Sequence, residues 1–133
     1  MLATRVDGVI LDAPAASFGD VLDEAAEFRS LPVAGLDIPE SLEDVAKLFV
    51  AWRYGVDYKA VDYTDKDGLI KVPLLTLQGS ADETVPAAHA ERLFAVAAEP
   101  RQLKMLAGGL HRLRLDERAT KLILEWLVNE WKD

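Results

Sequence analysis

Two apolar strand patterns separated by one amphipathic helix constrain the fold of this chain more than any other feature. Residues 72–78 read VPLLTLQ, an apolar run that ends in a polar turn, and residues 85–100 read VPAAHAERLFAVAAEP, with apolar residues at helical spacing. A further strand pattern, RQLKMLA, follows directly at residues 101–107. A strand, a helix and a strand in immediate succession predict two parallel strands joined by a right-handed crossover.

The first half of the chain and its C-terminal end add one more strand pattern and three helix patterns. Residues 6–13, VDGVILDA, are apolar and include β-branched residues, which is typical of a strand buried on both faces. Helical spacing predicts helices over residues 18–28 and 41–54, with Ser41 as the N-cap of the second, and a last helix that starts near Asp116. We therefore expect an α/β protein with about three parallel strands and helices on both faces of the sheet.

The composition restricts which partners the chain can have. The 133 residues suit one domain, and a formal charge of −8 disfavours nucleic acid and anionic membrane surfaces as partners. No apolar run approaches the roughly 18 to 20 residues of a membrane-spanning helix. Without cysteine there is no thiolate nucleophile and no cysteine-ligated zinc, and two histidines leave little material for a metal site. We expect no nucleic-acid or membrane partner, no metal and no cofactor.

Two short motifs follow the predicted strands of the second half. The turn GSADETVP places Asp82 just beyond residues 72–78, and the loop LAGGLH places His111 just beyond residues 101–107. Open α/β sheets carry their chemistry at the carboxyl ends of strands, so both positions suit a site. Two neighbouring strand ends can bring a carboxylate against Nδ1 of a histidine, which holds the imidazole in one tautomer and suits it to act as a general base.

In order and spacing these motifs resemble the paired signature of the α/β-hydrolases. The residues that carry the resemblance are Gly79, Asp82, Val85 and Pro86 in the first motif and Gly108, Gly109 and His111 in the second. Residues 6–13 in turn resemble the strand that follows the nucleophile-bearing helix of that family. The resemblance implies that Asp82 and His111 are the catalytic acid and histidine of a serine hydrolase that cleaves carboxylic esters or peptide bonds.

The sequence departs from the family pattern at the nucleophile. The serine of this fold lies on a G-x-S-x-G turn ahead of the acid, and that pattern does not occur in the chain. Ser80 would face the Asp82 carboxylate rather than a substrate, and Ser17 is no better placed, so neither is expected to replace it. We expect the chain to be equivalent to the C-terminal half of an α/β-hydrolase and to be inactive alone. The alternative is a non-catalytic oligomeric remnant that acts as a binding or interaction module.

This interpretation has consequences for domains and partners. Residues 1–133 are expected to form a single domain, in which residues 17–68 fall where the family often builds a helical cap. In the whole family the strand at residues 6–13 pairs with the nucleophile strand, so here its outer edge is expected to be open. We expect a homodimer in which two such edges meet. The alternatives are a separate chain that supplies the N-terminal half, or the cap segment folded over the edge. A small-molecule ester or amide is the expected substrate of an active assembly.

Simpler roles exist for several of these residues. Asp82 is also well placed to be a turn residue that accepts backbone hydrogen bonds before the helix at Pro86. His111 also fits an ordinary loop histidine, and His89, inside a predicted helix, is expected to face solvent. The tryptophans are expected to lie in the core or in an interface. Acidic residues interrupt the first apolar stretch of the chain, which disfavours a secretory signal and favours the cytoplasm.

Overall fold

The computed structural model of the chain describes residues 5–28, 40–66 and 68–131. The elements are β1 (Val9–Asp12), α1 (Phe18–Phe28), α2 (Glu40–Tyr54), β2 (Leu74–Gly79), α3 (Ala87–Val96), β3 (Arg101–Leu106), a 3₁₀ turn (Leu113–Leu115) and α4 (Glu117–Glu130). The chain divides into two compact units, one of Met1–Ala16 and Thr64–Asp133 and the other of Ser17–Tyr63. The first unit holds the sheet with α3 and α4, and the second holds α1 and α2.

The strands form one parallel sheet in the order β1-β2-β3. Val9 of β1 pairs with Leu74 of β2, which pairs in turn with Arg101 of β3. The central strand β2 is buried along its full length, because it has a strand on each side and helices packed on the sheet. The predicted architecture of parallel strands with helices is confirmed. Strand β2 begins later than the apolar pattern, since Pro73 has no N–H to donate to a neighbouring strand.

One face of the sheet carries the hydrophobic core of the first unit. Successive side chains of a strand point to opposite faces, and Leu75 and Leu77 of β2 share the face that α4 covers. The buried residues of this cluster are Leu75, Leu77, Leu106, Leu113, Ala119 and Trp126. The ring of Trp131 meets that of Trp126 edge-on, with centroids 5.4 Å apart. Trp126 therefore lies in the core, whereas Trp52 of the second unit is exposed.

Helix α3 lies on the opposite face of the sheet. It contacts β2 and β3, and its buried residues His89, Ala90 and Leu93 are not part of the cluster under α4. His89 is fully buried, and its Nδ1 accepts a hydrogen bond of 3.2 Å from the backbone N–H of Ala16. The prediction that His89 faces solvent is therefore wrong, because position 89 falls on the same face of the helix as Ala90 and Leu93.

The second unit shows where helix ends depart from the sequence pattern. The Ser17 hydroxyl accepts a hydrogen bond of 3.3 Å from the N–H of Asp20 and so caps the start of α1. Helix α2 begins at Glu40, so Ser41 lies inside it and the predicted N-cap is wrong. Apolar spacing defines the face of a helix well and its first residue poorly. A cap-like role for residues 17–68 stays a prediction.

We expect truncation of one core residue in β2 to lower the free energy of unfolding substantially. Leu75→Ala removes a fully buried side chain and leaves a cavity against α4, so the free energy of unfolding is expected to fall by about 2–5 kcal/mol. Leu115→Ala is the matched control, because Leu115 is 75% exposed in the 3₁₀ turn that precedes α4. Its truncation is expected to change that energy by less than about 0.5 kcal/mol. Urea unfolding followed by tryptophan fluorescence measures both, and equal effects would contradict this assignment of the core.

Candidate active site

Two loops leave the carboxyl end of the sheet side by side. The first follows β2 and carries Asp82, and the second follows β3 and carries His111. Because β2 and β3 are neighbours that run in the same direction, both loops start at the same edge of the sheet. The N–H of Ser80 donates to the carbonyl oxygen of Leu106 at 3.0 Å, so hydrogen bonding between the strands continues into the loops.

Glycine allows the two loops to touch. A Cβ atom on Gly79 would lie 2.2 Å from the carbonyl oxygen of Gly109, far inside van der Waals contact. Gly108 adopts a φ of +67°, which glycine reaches without strain. The N–H of Gly108 donates to Ser80 Oγ at 2.8 Å, and the N–H of Ala81 donates to the Gly109 carbonyl oxygen at 3.0 Å. Each loop therefore donates a hydrogen bond to the other, and the pair is held in one arrangement.

The side chain of Asp82 is withdrawn from solvent, and both of its oxygen atoms are bonded. Oδ1 accepts from the N–H groups of Thr84 at 2.8 Å and Val85 at 2.9 Å. Oδ2 accepts from Nε2 of Gln78 at 3.2 Å and faces Nδ1 of His111 at 3.0 Å. A carboxylate has about four lone-pair sites, so these donors saturate it.

His111 is placed to act as a base. Its side chain is 40% exposed, while the Asp82 carboxylate that it contacts is fully buried. An ionised carboxylate has no hydrogen to give, so Nδ1 of His111 donates and the neutral ring keeps its lone pair on Nε2. Nε2 is then the basic atom and the ring is held by its other nitrogen, as a general base in acyl transfer requires.

Opposing effects act on the ionisation of Asp82. Burial raises the pKa of its carboxyl group, but the hydrogen bonds from Val85, His111 and Thr84 and the charge of a protonated His111 outweigh burial. Together they leave the pKa below its ordinary value of 3.8. Asp82 therefore stays ionised near neutral pH, and its negative charge lies directly against the His111 ring.

Both roles considered for Asp82 are present in the structure. Oδ1 serves the turn that leads to α3, and Oδ2 serves His111. The structure thus brings together the two residues that the sequence singled out, and their catalytic roles stay a prediction. Ser80, considered as a substitute nucleophile, has its Oγ bonded to the N–H of Gly108.

Gln78 is the residue of this site that the sequence analysis missed. It is the last side chain of β2 before Gly79, it is fully buried, and its amide contacts Asp82. A signal was available, since an amide at the end of an otherwise largely apolar buried strand must find hydrogen-bond partners inside the protein. The nearest loop with acceptors to offer is the one that carries Asp82.

The part of the chain that the structure describes lacks two kinds of feature. Its histidine, aspartate and glutamate side chains form no group that could hold a metal ion. None of its helices combines the length and the apolar character needed to cross a membrane. The candidate site is defined by the Asp82–His111 pair and the hydrogen bonds that hold it.

Comparison with solved structures shows which known folds the chain resembles. The chain superposes on a monoacylglycerol lipase of Paleococcus ferrophilus with a TM-score of 0.60 and 21% identity, over 95% of this chain and 60% of that one. An esterase of Pyrococcus furiosus gives a TM-score of 0.53 and 19% identity, over 99% and 47% of the two chains. An α/β-hydrolase superfamily protein of Enterococcus faecalis gives 0.54 and 12%, over 91% and 53%. The chain has part of an α/β-hydrolase fold.

The relatives found by sequence are much longer than this chain. It is 27% identical over 124 residues to an uncharacterized protein, YfhR, of Escherichia coli O157:H7, and 26% identical to the YfhR protein of strain K12. Both alignments cover 93% of this chain and 36% of the relative. No family model matches the chain. The partial α/β-hydrolase fold is therefore established by the structure, through the sheet and the helices that pack on it.

The lowered pKa of Asp82 predicts a loss of stability in acid. A carboxyl group whose pKa is lower in the folded state stabilises the fold above pH 3.8, and this contribution is lost as the pH falls through the lowered folded value. Asp82→Asn lacks the titrating group and leaves donors unpaired, so its free energy of unfolding is expected to be about 1–3 kcal/mol smaller at neutral pH. We expect this deficit to shrink below about pH 4. Urea unfolding across the pH range measures it, and a deficit that stays constant or grows in acid would refute the explanation.

Proposed function

We propose that the chain is the part of a serine hydrolase that carries the acid and the histidine, equivalent to the C-terminal half of an α/β-hydrolase. Asp82 orients His111, and Nε2 of His111 takes the proton from a serine hydroxyl and later returns it to the leaving group. The serine is supplied from outside this chain, so the chain alone is inactive. The substrate is a carboxylic ester, or failing that an amide, of a small molecule.

The 3.0 Å contact between His111 Nδ1 and Asp82 Oδ2 carries the proposal. It joins two loops at the carboxyl ends of neighbouring parallel strands, in a fold shared with a lipase and an esterase. The names of those neighbours indicate ester cleavage, which favours an ester over an amide. A shared fold does not determine a reaction, since one scaffold hosts many. The contact between Asp82 and His111, and not the fold, therefore supports a hydrolytic reaction.

The roles of two serines support a nucleophile from outside the chain. The sequence has no G-x-S-x-G turn. Ser80 Oγ accepts from the N–H of Gly108 at 2.8 Å and joins the two loops, while Ser17 Oγ caps α1. A chain without an available nucleophile also fits a second candidate, a non-catalytic interaction module. In that case the Asp82–His111 contact is a structural link between the two loops.

A serine-directed fluorophosphonate tests the proposal. The purified chain is expected to stay unlabelled, because the reagent requires an activated serine. After addition of a polypeptide from the same genomic locus that bears G-x-S-x-G, its serine is expected to be labelled. His111→Gln is expected to slow that labelling by at least about 100-fold, because the general base is lost. Leu110→Ala is the matched control on the same loop, since Leu110 is 68% exposed and is not expected to take part.

Two outcomes would count against the proposal. Stoichiometric labelling of a serine in the isolated chain would show that the nucleophile is present after all. Labelling of the combined sample at the same rate with His111→Gln would show that His111 is not the base, and would leave the interaction module as the better candidate.

We also propose that two copies of the chain associate through β1. This strand lies at the edge of the sheet, and in the described residues no strand pairs with its outer side. The N–H of Val9 donates to the carbonyl oxygen of Pro73, so the N–H of the next residue, Ile10, points outward. An open edge of this kind is a template for another strand, and an identical strand can pair with it across a two-fold axis.

One side of α4 supports the same interface. Exposed apolar residues form a stripe at helical spacing, namely Leu124, Leu127, Val128 and Trp131. Trp131 packs over Gly8 beside β1, where an added Cβ would lie 2.6 Å from the indole ring. On the other side of α4, Arg118 donates to the carbonyl oxygen of Ala107 just after β3. A two-fold axis normal to the sheet keeps both copies of α4 on one face, so the two stripes meet above the paired strands.

Sedimentation velocity in dilute solution tests this association. The wild-type chain is expected to sediment with twice the mass of one chain. Ile10→Pro removes the outward N–H and leaves the hydrogen bonds to β2 in place, so we expect a monomer. Ile10→Val keeps the N–H and most of the side chain, and we expect it to remain a dimer. A monomeric wild type would rule out pairing through β1.

A further inference from the structure

Gln78 presents its amide group to the loop that carries Asp82. Its side chain is fully buried, and Nε2 lies near three oxygen atoms. These are Asp82 Oδ2 at 3.2 Å, the carbonyl oxygen of Val85 at 3.0 Å and that of Gly79 at 3.3 Å. All three are acceptors, so the amide must direct its NH₂ group at them. The reverse orientation would set Oε1 against a carboxylate and two carbonyl groups.

The contacts of Gln78 close a ring of hydrogen bonds around Asp82. The N–H of Val85 donates to Oδ1 at 2.9 Å, while the carbonyl group of Val85 accepts from Gln78. Gln78 also donates to Oδ2, so the carboxylate is held at both oxygen atoms. Turning about the Cβ–Cγ bond moves both oxygen atoms, so donors on Oδ1 and on Oδ2 resist that rotation together. The ring therefore adds a restraint at the oxygen atom that faces His111.

Oδ2 is the oxygen atom that Gln78 and His111 share. Gln78 reaches it from the end of the buried strand, and His111 reaches it from the partly exposed loop. With one lone pair occupied by Gln78, the other is directed at Nδ1 of His111 and is closed to water. We propose that Gln78 is a positioning residue, which holds Oδ2 of Asp82 so that His111 keeps its hydrogen on Nδ1 and its lone pair on Nε2.

The test reads the tautomer of His111 and not turnover, although the inference rests on the proposed function of the pair. Gln78→Met has nearly the length and volume of the original side chain and no donor. In the wild type, ¹⁵N chemical shifts are expected to place the hydrogen on Nδ1, and that hydrogen is expected to exchange slowly with water. In Gln78→Met we expect exchange to be about tenfold faster or more, with the Nε2–H tautomer becoming visible, because Oδ2 has lost a donor and turns toward water.

Thr76→Val is the matched control. Thr76 precedes Gln78 on the same face of β2, it is also fully buried, and its Oγ1 has no hydrogen-bond partner among the described residues. Its replacement tests whether any loss of a polar atom from this strand disturbs His111, and it is expected to leave the tautomer and the exchange rate unchanged. Asp82→Asn is the reference for complete loss of the Nδ1–H tautomer of His111. Its side-chain amide donor faces Nδ1 and is expected to favour the Nε2–H tautomer.

A second measurement needs no substitution and decides the matter even where Gln78→Met does not fold. The side-chain amide protons of wild-type Gln78 are expected to shift as Asp82 is protonated in acid. Amide shifts that stay flat through this titration would overturn the proposal. So would a folded Gln78→Met with the wild-type tautomer and exchange rate. A wild-type His111 without hydrogen on Nδ1 would instead contradict the proposed function itself, so the two failures are distinguishable.

Discussion

The carboxylate of Asp82 accepts hydrogen bonds from the end of β2, from the turn that follows it and from the histidine loop beyond β3. A buried charge is costly unless its lone pairs are satisfied, so few arrangements of these three segments are tolerated. The bare backbone at Gly79 and Gly109 makes the tolerated arrangement sterically possible, since a side chain on Gly79 would collide with the other loop. The carboxylate that contacts His111 is thus also the group that orders the two loops.

The positions of these loops depend on how the strands of the sheet pair. Parallel pairing of β2 with β3 brings the two loops to one edge of the sheet, and the core beneath α4 holds the strands in register. This part of the fold is well buried at its centre. In the described residues no strand pairs with the outer edge of β1, and apolar side chains along one side of α4 are exposed. The described part of the chain therefore satisfies its polar groups at the candidate carboxylate and exposes apolar surface on α4.

Much of the fold was predictable from the sequence, because local pattern and final structure agree in the second half of the chain. The apolar run of β2, the amphipathic α3 and the start of α4 after Asp116 all lie where spacing and caps place them. The errors have identifiable physical causes. His89 carries a polar ring, but its position on α3 lies among Ala90 and Leu93, and the sheet buries that face. Burial there depends on which side of the helix meets the sheet, and residue type alone does not report that.

The Asp82–His111 pair shows what local sequence pattern predicts and what depends on tertiary contacts. The sequence by itself determined that an acid and a histidine follow two strands with a helix between them, because periodicity and turn residues are local properties of the chain. It left open whether Asp82 was a turn residue or a partner of His111. Only the tertiary structure decided that it is both, one oxygen atom for each role, and that Gln78 joins them. The contacts that decide this span both short and long separations along the chain, and they exist only once parallel pairing has brought the strand ends together.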